Sequence, residues 1–222
     1  MEQTKRIPLF PLGVVLLPEM LLPLHIFEER YKLMISECIE EDKSFGIVLF
    51  DGESIHSVGC MARITDVTHR YDDGRMDIVT EGRERYVIRE IIEEKAYMEA
   101  RVAFFDDEDE ITEDDLQSHL GTARQLLKEV VGPDFNPDDP IFFSDKRPEN
   151  IAFAIAALEG FTPAERQHFL EMTSGTERLK KSVQALSSLV QRTRLTNKIL
   201  RIISGNGHPP EGLIKDRGDS II

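Results

Sequence analysis

The 222-residue sequence has few cysteines and few basic residues, and each shortage excludes a class of protein. Two cysteines, Cys38 and Cys60, are too few for the disulfide framework of a small secreted domain, so a reducing cytoplasm is the expected compartment. The 27 Lys and Arg residues are outnumbered by 41 Asp and Glu residues, which leaves a net charge of −14. Because such a charge repels phosphate backbones, nucleic acid is disfavoured as a partner.

The sequence also lacks a long uninterrupted hydrophobic run. Its most apolar stretch, residues 9–27, is broken by Pro11, Pro18, Glu19, Pro23 and His25. Each proline removes a helix hydrogen bond, and a membrane-spanning helix needs about 20 predominantly apolar residues. The stretch therefore predicts short extended segments and argues against both a signal peptide and a membrane span.

The motifs of common catalytic and cofactor sites are missing as well. The sequence contains no Gly-x-x-x-x-Gly-Lys-Ser/Thr loop, no Gly-x-Gly-x-x-Gly turn and no Gly-x-Ser-x-Gly elbow. Cys38 is predicted on the buried face of a helix and Cys60 within a strand, so both are interpreted as core residues. His56 with Cys60, and His69 with the aspartates that follow it, lack the paired spacing of a zinc site. We therefore expect no cofactor, no metal and no catalytic residue.

The first half of the chain favours a small β-barrel or sandwich. Short apolar segments separated by turns predict strands over residues 45–50, 58–67, 76–80, 83–92 and 98–105. One helix is predicted over residues 28–41, because its apolar residues recur at helical spacing: Tyr31, Met34, Ile35, Cys38 and Ile39.

The second half is predicted to be helical and to begin after an acidic run. Residues 106–115 include eight acids, and like-charge repulsion predicts a solvated linker there. We therefore expect a β-rich domain over residues 1–110, a helical bundle over 111–203 and a flexible tail over 204–222. The predicted helices cover 112–131, 151–158, 162–172 and a long segment from 174 to 203, with a turn-rich link at 136–140. Seven basic residues in the last helix indicate either a partner or RNA surface or, as we favour, pairing with the acidic remainder.

Several segments together resemble a known family. The opening IPLFPLGVVLLP at residues 7–18 is followed by Leu-Pro-Leu at 22–24 and Glu-Arg-Tyr at 29–31. A Gly-Arg-Glu-Arg-Tyr-Val-Ile run stands at 82–88. These segments resemble the amino-terminal domain of the ATP-dependent protease Lon, and residues 164–172 and 177–179 resemble the helices that lead from it towards the ATPase. The likeness covers about residues 5–203.

The resemblance implies an α+β fold, in which a PUA-like pseudo-barrel of about six strands packs on a helical bundle. It also implies recognition of unfolded or tagged polypeptide. Neither the ATPase nor the serine-lysine peptidase domain of that protease follows Ile203, so we expect binding without catalysis. The expected partners are unfolded or apolar-rich polypeptide and a separate protease or chaperone.

The predicted binding residues lie around the proline-bounded leucines and the start of the first helix: Leu21, Leu22, Leu24, Glu29 and Arg30. An apolar strip beside a solvated rim is typical of sites that hold extended peptides. The alternative is that the leucines belong to the core and the charges are merely exposed. Two aromatic pairs, at 104–105 and 142–143, either line a groove or pack the barrel against the bundle. Two other functions stay open, a small-ligand or RNA-binding module and an enzyme without a recognisable motif.

Overall fold

The structure, a computed structural model, describes residues 3–131 and 148–205. Among these residues the chain forms six strands and five helices. The strands are β1 (Thr4–Leu12), β2 (Leu21–Ile26), β3 (Phe45–Phe50), β4 (Ile55–Arg70), β5 (Met76–Ile92) and β6 (Glu99–Phe104). The helices are α1 (Glu29–Glu40), α2 (Glu113–Val131), α3 (Pro148–Ala156), α4 (Pro163–Glu171) and α5 (Gly175–Gly205). This is the α+β class that the sequence predicted.

The six strands form one mixed sheet that closes on itself. The strand order is β2-β5-β4-β3-β1-β6, and an additional pairing of β5 with β6 closes a barrel of five strands. Only the β1–β3 pair is parallel among these pairings. The sequence predicted two strands at 76–80 and 83–92, whereas β5 is one strand of 17 residues. Its first half pairs with β2 and its second half with β6, so β2 extends the sheet beyond the barrel.

The apolar periodicity of α1 places one helix face on the core, as predicted. Tyr31, Met34, Ile35 and Cys38 are buried, and the ring of Tyr31 lies 4.0 Å from that of Phe10 on β1. A second, smaller cluster fills the barrel with residues of five strands: Ile7, Leu9, Val48, Met61, Tyr86, Ala100 and Val102. The larger cluster continues from α1 into the helices of the second half, so the barrel and the helices share one core.

The acidic run is docked on the protein at two positions, which corrects the expectation of a solvated linker. Asp107 binds Arg85 of β5 and Arg178 of α5, each at 2.5 Å, and both arginines are buried. Asp109 accepts hydrogen bonds from the backbone N–H groups of Gly175 and Thr176 at the start of α5. Charge repulsion along the run is outweighed at these positions because each carboxylate meets charged or backbone donors. The division into two domains stays a prediction.

The helices of the second half follow the predicted boundaries closely. Thr162 and Glu165 form a capping box at the start of α4, with Pro163 in the first turn. Three arginines of α5 pair with acids outside the helix, the kind of pairing favoured from the sequence, whereas Lys180 pairs with Glu177 of the helix itself. Arg178 binds Asp107, and other pairs join Arg192 to Glu165 and Arg194 to Glu129. The helix continues to residue 205, past the predicted start of the tail at 204. The predicted link at 136–140, the aromatics at 142–143 and residues 206–222 lie outside the described residues.

Candidate functional site

The edge strand β2 combines an open backbone edge with exposed apolar side chains. Among the described strands it pairs only with β5, so its second edge has no strand partner. Pro23 lies in the middle of β2, and a proline is tolerated in a strand when one edge needs no donor. The exposed fraction is 62% for Leu21 and 59% for Phe27, which follows the strand directly. A strand edge beside exposed apolar side chains can pair with an extended peptide.

The three predicted leucines lie on two different faces of the sheet. Leu21 pairs with Glu81 and points outwards, whereas Leu22 and Leu24 pair with Thr80 and Ile78. Leu22 and Leu24 are half-buried and pack against the core, since side chains alternate between the faces of a strand. Leu22 and Leu24 therefore lie where the alternative interpretation placed them, against the core.

The two predicted charged residues are exposed at the start of α1. Glu29 pairs with Lys32 at 2.5 Å. Arg30 pairs with Glu28 at 2.8 Å, and its guanidinium lies 4.6 Å from the centre of the Tyr31 ring. Glu29 is thus held by a residue of its own helix, and Arg30 by the N-cap residue that precedes the helix. Leu21 begins β2, whereas the start of α1 follows the other end of that strand, so the structure does not bring the leucine and the two charged residues together. The role of all five residues in binding stays a prediction.

A row of polar and aromatic side chains crosses the outer face beside β2, and the sequence did not reveal it. His25 of β2 and His69 of β4 both stand opposite Asp77 of β5. The carboxylate of Asp77 accepts hydrogen bonds from His25 Nδ1 at 2.5 Å and from the Tyr71 hydroxyl at 2.8 Å. These two bonds, the His25 bond first, lower the pKa of Asp77. The ring of Phe27 stacks on His25 at 5.9 Å, so apolar and polar surfaces are continuous here.

The described residues form no group of three or more His, Cys, Asp or Glu side chains that could hold a metal ion. Cys60 is fully buried in β4, with its thiol 3.3 Å from the carbonyl oxygen of Arg83. Burial raises the pKa of the Cys38 thiol to about 11 and that of Cys60 to about 12, which disfavours the reactive thiolate. In the part of the chain that the structure describes, no helix is long and apolar enough to span a membrane.

The chain resembles known proteins in sequence and in fold. A family model described as the ATP-dependent protease La (LON) substrate-binding domain matches residues 6–188. The chain belongs to this family. A Lon protease of Anaeromyxobacter dehalogenans is 22% identical over 213 residues, which cover 90% of this chain and 25% of that protein. A Lon protease of Flavobacterium johnsoniae is 24% identical over 207 residues, covering 87% of this chain and 25% of that protein. The Lon-type chain thus spans about a quarter of the length of these relatives.

Two solved structures share the fold of this Lon substrate-binding domain. The Lon N-terminal domain protein from Xanthomonas campestris is 23% identical, with a TM-score of 0.61 over 80% of this chain and 96% of that chain. The N-terminal domain of the Mycobacterium avium complex Lon protease is 20% identical, with a TM-score of 0.66 over 82% and 98%. Both likenesses confirm the barrel-plus-helices architecture.

One of the segments that suggested the Lon family, the Gly-x-x-Arg-Tyr run at 82–86, has a structural role in this domain. A Cβ atom at Gly82 would lie 2.0 Å from the carbonyl oxygen of Leu17, so only glycine fits there without a backbone shift. Arg85 binds Asp107 at the junction with the helices. The hydroxyl of Tyr86 donates to the carbonyl oxygen of Ile47 at 2.9 Å inside the barrel. The three residues Gly82, Arg85 and Tyr86 are therefore buried and stabilise the fold.

Proposed function

We propose that this Lon substrate-binding domain holds extended, apolar-rich polypeptide without catalysing a reaction on it. The observation that carries the proposal is the unpaired edge of β2 beside the exposed side chains of Leu21 and Phe27. The description of the family as a substrate-binding domain supports the same class of function.

An added peptide strand would form backbone hydrogen bonds to β2, and its alternate side chains would contact the outer face. Backbone pairing does not depend on sequence, which suits a domain that receives many different chains. Pro23 removes one donor from the edge and keeps the paired segment short. We therefore expect dissociation constants in the micromolar range or weaker, about −8 kcal/mol or less favourable.

The charge of the protein should select among such chains. With a net charge of −14, the domain repels acidic polypeptides, and salt should partly relieve that repulsion. We further propose that the bound polypeptide is shared with a separate protease or chaperone and that the protein acts in the cytoplasm. Two buried, unpaired thiols are consistent with that compartment.

Fluorescence anisotropy with a labelled, permanently unfolded protein tests the proposal, with the native form of the same protein as the reference ligand. Leu21→Asp should weaken binding of the unfolded form by about tenfold or more, since it places a charge in the apolar contact. Ile91→Asp is the matched control, because Ile91 is also exposed, at 40%, but lies at the far end of β5. Equal binding of the unfolded and native forms, or equal losses in the two variants, would contradict the proposal.

A further inference from the structure

A second groove lies away from β2, between the β3–β4 hairpin and α4. It has a volume of about 780 Å³. Its apolar walls come from Leu49 and Phe50 on the hairpin side and from Pro163 and Ala164 on the helix side. Phe50 is 42% exposed, so part of this lining side chain is open to solvent. A groove with apolar walls and an aromatic ring at its mouth fits a long side chain better than a flat peptide backbone.

One end of this groove, which we call the hairpin groove, is anionic. Asp51 and Glu171 lie on either side of His56, with carboxylate-to-imidazole distances of 3.5 and 3.6 Å. Hydrogen bonds from the backbone N–H groups of Ser54 and Glu53, in that order, lower the pKa of Asp51. The Asp51 carboxylate is therefore charged at neutral pH.

A buried amide beside Glu171 adds an acceptor without a donor. Gln167 lines the hairpin groove and is only 2% exposed. Its Nε2 donates to the carbonyl oxygen of Val58 at 3.0 Å and to Glu171 Oε1 at 2.7 Å, which fixes the amide orientation. Its Oε1 is buried and has no hydrogen-bond partner among the described residues. Buried acceptors are normally satisfied, so this atom favours a donor that enters from the groove.

We propose that the hairpin groove binds the side chain of an arginine in a polypeptide segment. The aliphatic part of an arginine would pack on Leu49 and Pro163 while its guanidinium reaches the carboxylates of Asp51 and Glu171. A planar guanidinium donates two parallel hydrogen bonds to a carboxylate and stacks on an aromatic ring such as Phe50. A lysine ammonium interacts with the same groups only as a point charge. The net charge of −14 favours basic segments over the whole surface.

This inference is independent of polypeptide binding at β2, because the two surfaces are formed by different elements. A Gly/Ser-rich peptide with one central arginine lacks the apolar side chains that the outer face of β2 would contact. Any backbone pairing with β2 would be the same for that peptide and for an analogue with citrulline in place of arginine, so the difference between their affinities reports on the hairpin groove.

The test is isothermal titration or anisotropy with that peptide and two analogues, which carry citrulline or lysine at the same position. Citrulline keeps the shape of arginine but has no charge, so we expect binding at least tenfold weaker, and lysine should bind several-fold weaker. Glu171→Gln and Phe50→Ala should each weaken arginine-peptide binding by about fivefold or more. Glu53→Gln is the matched control, because Glu53 is an exposed acid of the same hairpin that does not line the groove.

Circular dichroism and thermal unfolding establish that each variant is folded. Equal binding of the arginine and citrulline peptides would overturn the proposal, as would no binding at millimolar concentration. Equal losses of arginine-peptide binding in Glu53→Gln and Glu171→Gln would show that general charge attraction explains the effect, and this result would also overturn the proposal. A loss caused by Leu21→Asp instead would assign the arginine to the β2 surface.

Discussion

The carboxylate of Asp107 holds two buried guanidinium groups, and its replacement by asparagine gives the sharpest test of how the barrel and helices are joined. Arg85 of β5 and Arg178 of α5 are 6% and 0% exposed, and each contacts Asp107 at 2.5 Å. Burial first, and then the charge of Arg178, lower the pKa of Arg85. In Asp107→Asn the two cations would face each other without the negative charge between them.

Removing one partner of a buried ion pair costs about 3–5 kcal/mol. Asparagine keeps a hydrogen-bond acceptor at this position, so we expect a loss near the lower end, about 3 kcal/mol of unfolding free energy. For a protein of this size each kcal/mol lowers Tm by about 2–4 °C, so Tm should fall by about 6–12 °C.

Urea unfolding followed by circular dichroism measures the change, with Asp106→Asn as the matched control. Asp106 precedes Asp107 in the same acidic run but is exposed. Its replacement should change the unfolding free energy by less than about 1 kcal/mol. A loss below about 1 kcal/mol in Asp107→Asn, or an equal loss in both variants, would refute the role of this carboxylate.

Three further predictions concern stability and reactivity. Gly82→Ala should cost about 1–3 kcal/mol because its Cβ meets a backbone carbonyl, whereas Gly13→Ala, with nothing within 4 Å, should be close to neutral in the same urea assay. Burial raises the pKa of Cys38 and Cys60, so alkylation at about pH 8 should be slow in native protein and fast in urea. Hydrogen bonds from a lysine and then from a tyrosine lower the pKa of Glu37. This lowered pKa stabilises the folded state at pH values above the ordinary carboxyl pKa of 4.5, and the stabilisation is lost as the pH falls through the lower pKa of the folded state. In Glu37→Gln the free energy of unfolding, measured by urea unfolding at a series of acidic pH values, should therefore decrease less as the pH is lowered.

Local patterns in the sequence predicted those parts of the fold that depend on neighbouring residues. The buried face of α1 and the capping box at Thr162 both follow from spacing within a few positions. The acidic run was interpreted as solvated because its partners are distant in sequence, and Arg178 is 71 positions from Asp107. A run of like charges predicts repulsion between its members, but the sequence does not show that two distant arginines bind one of them.

In the candidate site, too, local sequence patterns predict only the features that depend on neighbouring residues. Strand alternation alone could have separated Leu21 from Leu22 and Leu24, because side chains two positions apart share a face. No local pattern could have joined His25 to Asp77, which are 52 positions apart and meet only through the register of β2 on β5. The hairpin groove likewise depends on how α4 docks against the barrel, as the hydrogen bond from Gln167 to Val58 shows across 109 positions.

One of the segments by which the sequence resembles the Lon family, residues 82–86, has buried residues that stabilise the fold and lie outside the two proposed binding surfaces. Gly82, Arg85 and Tyr86 pack against the Leu17 carbonyl, the acidic run and the barrel interior. Substitutions there should lower stability and binding together, because they act through the whole fold. Leu21→Asp and Glu171→Gln change surface groups and should lower binding to their own ligands while stability is retained. Measuring both Tm and affinity for each variant therefore distinguishes a residue that stabilises the domain from one that binds a polypeptide.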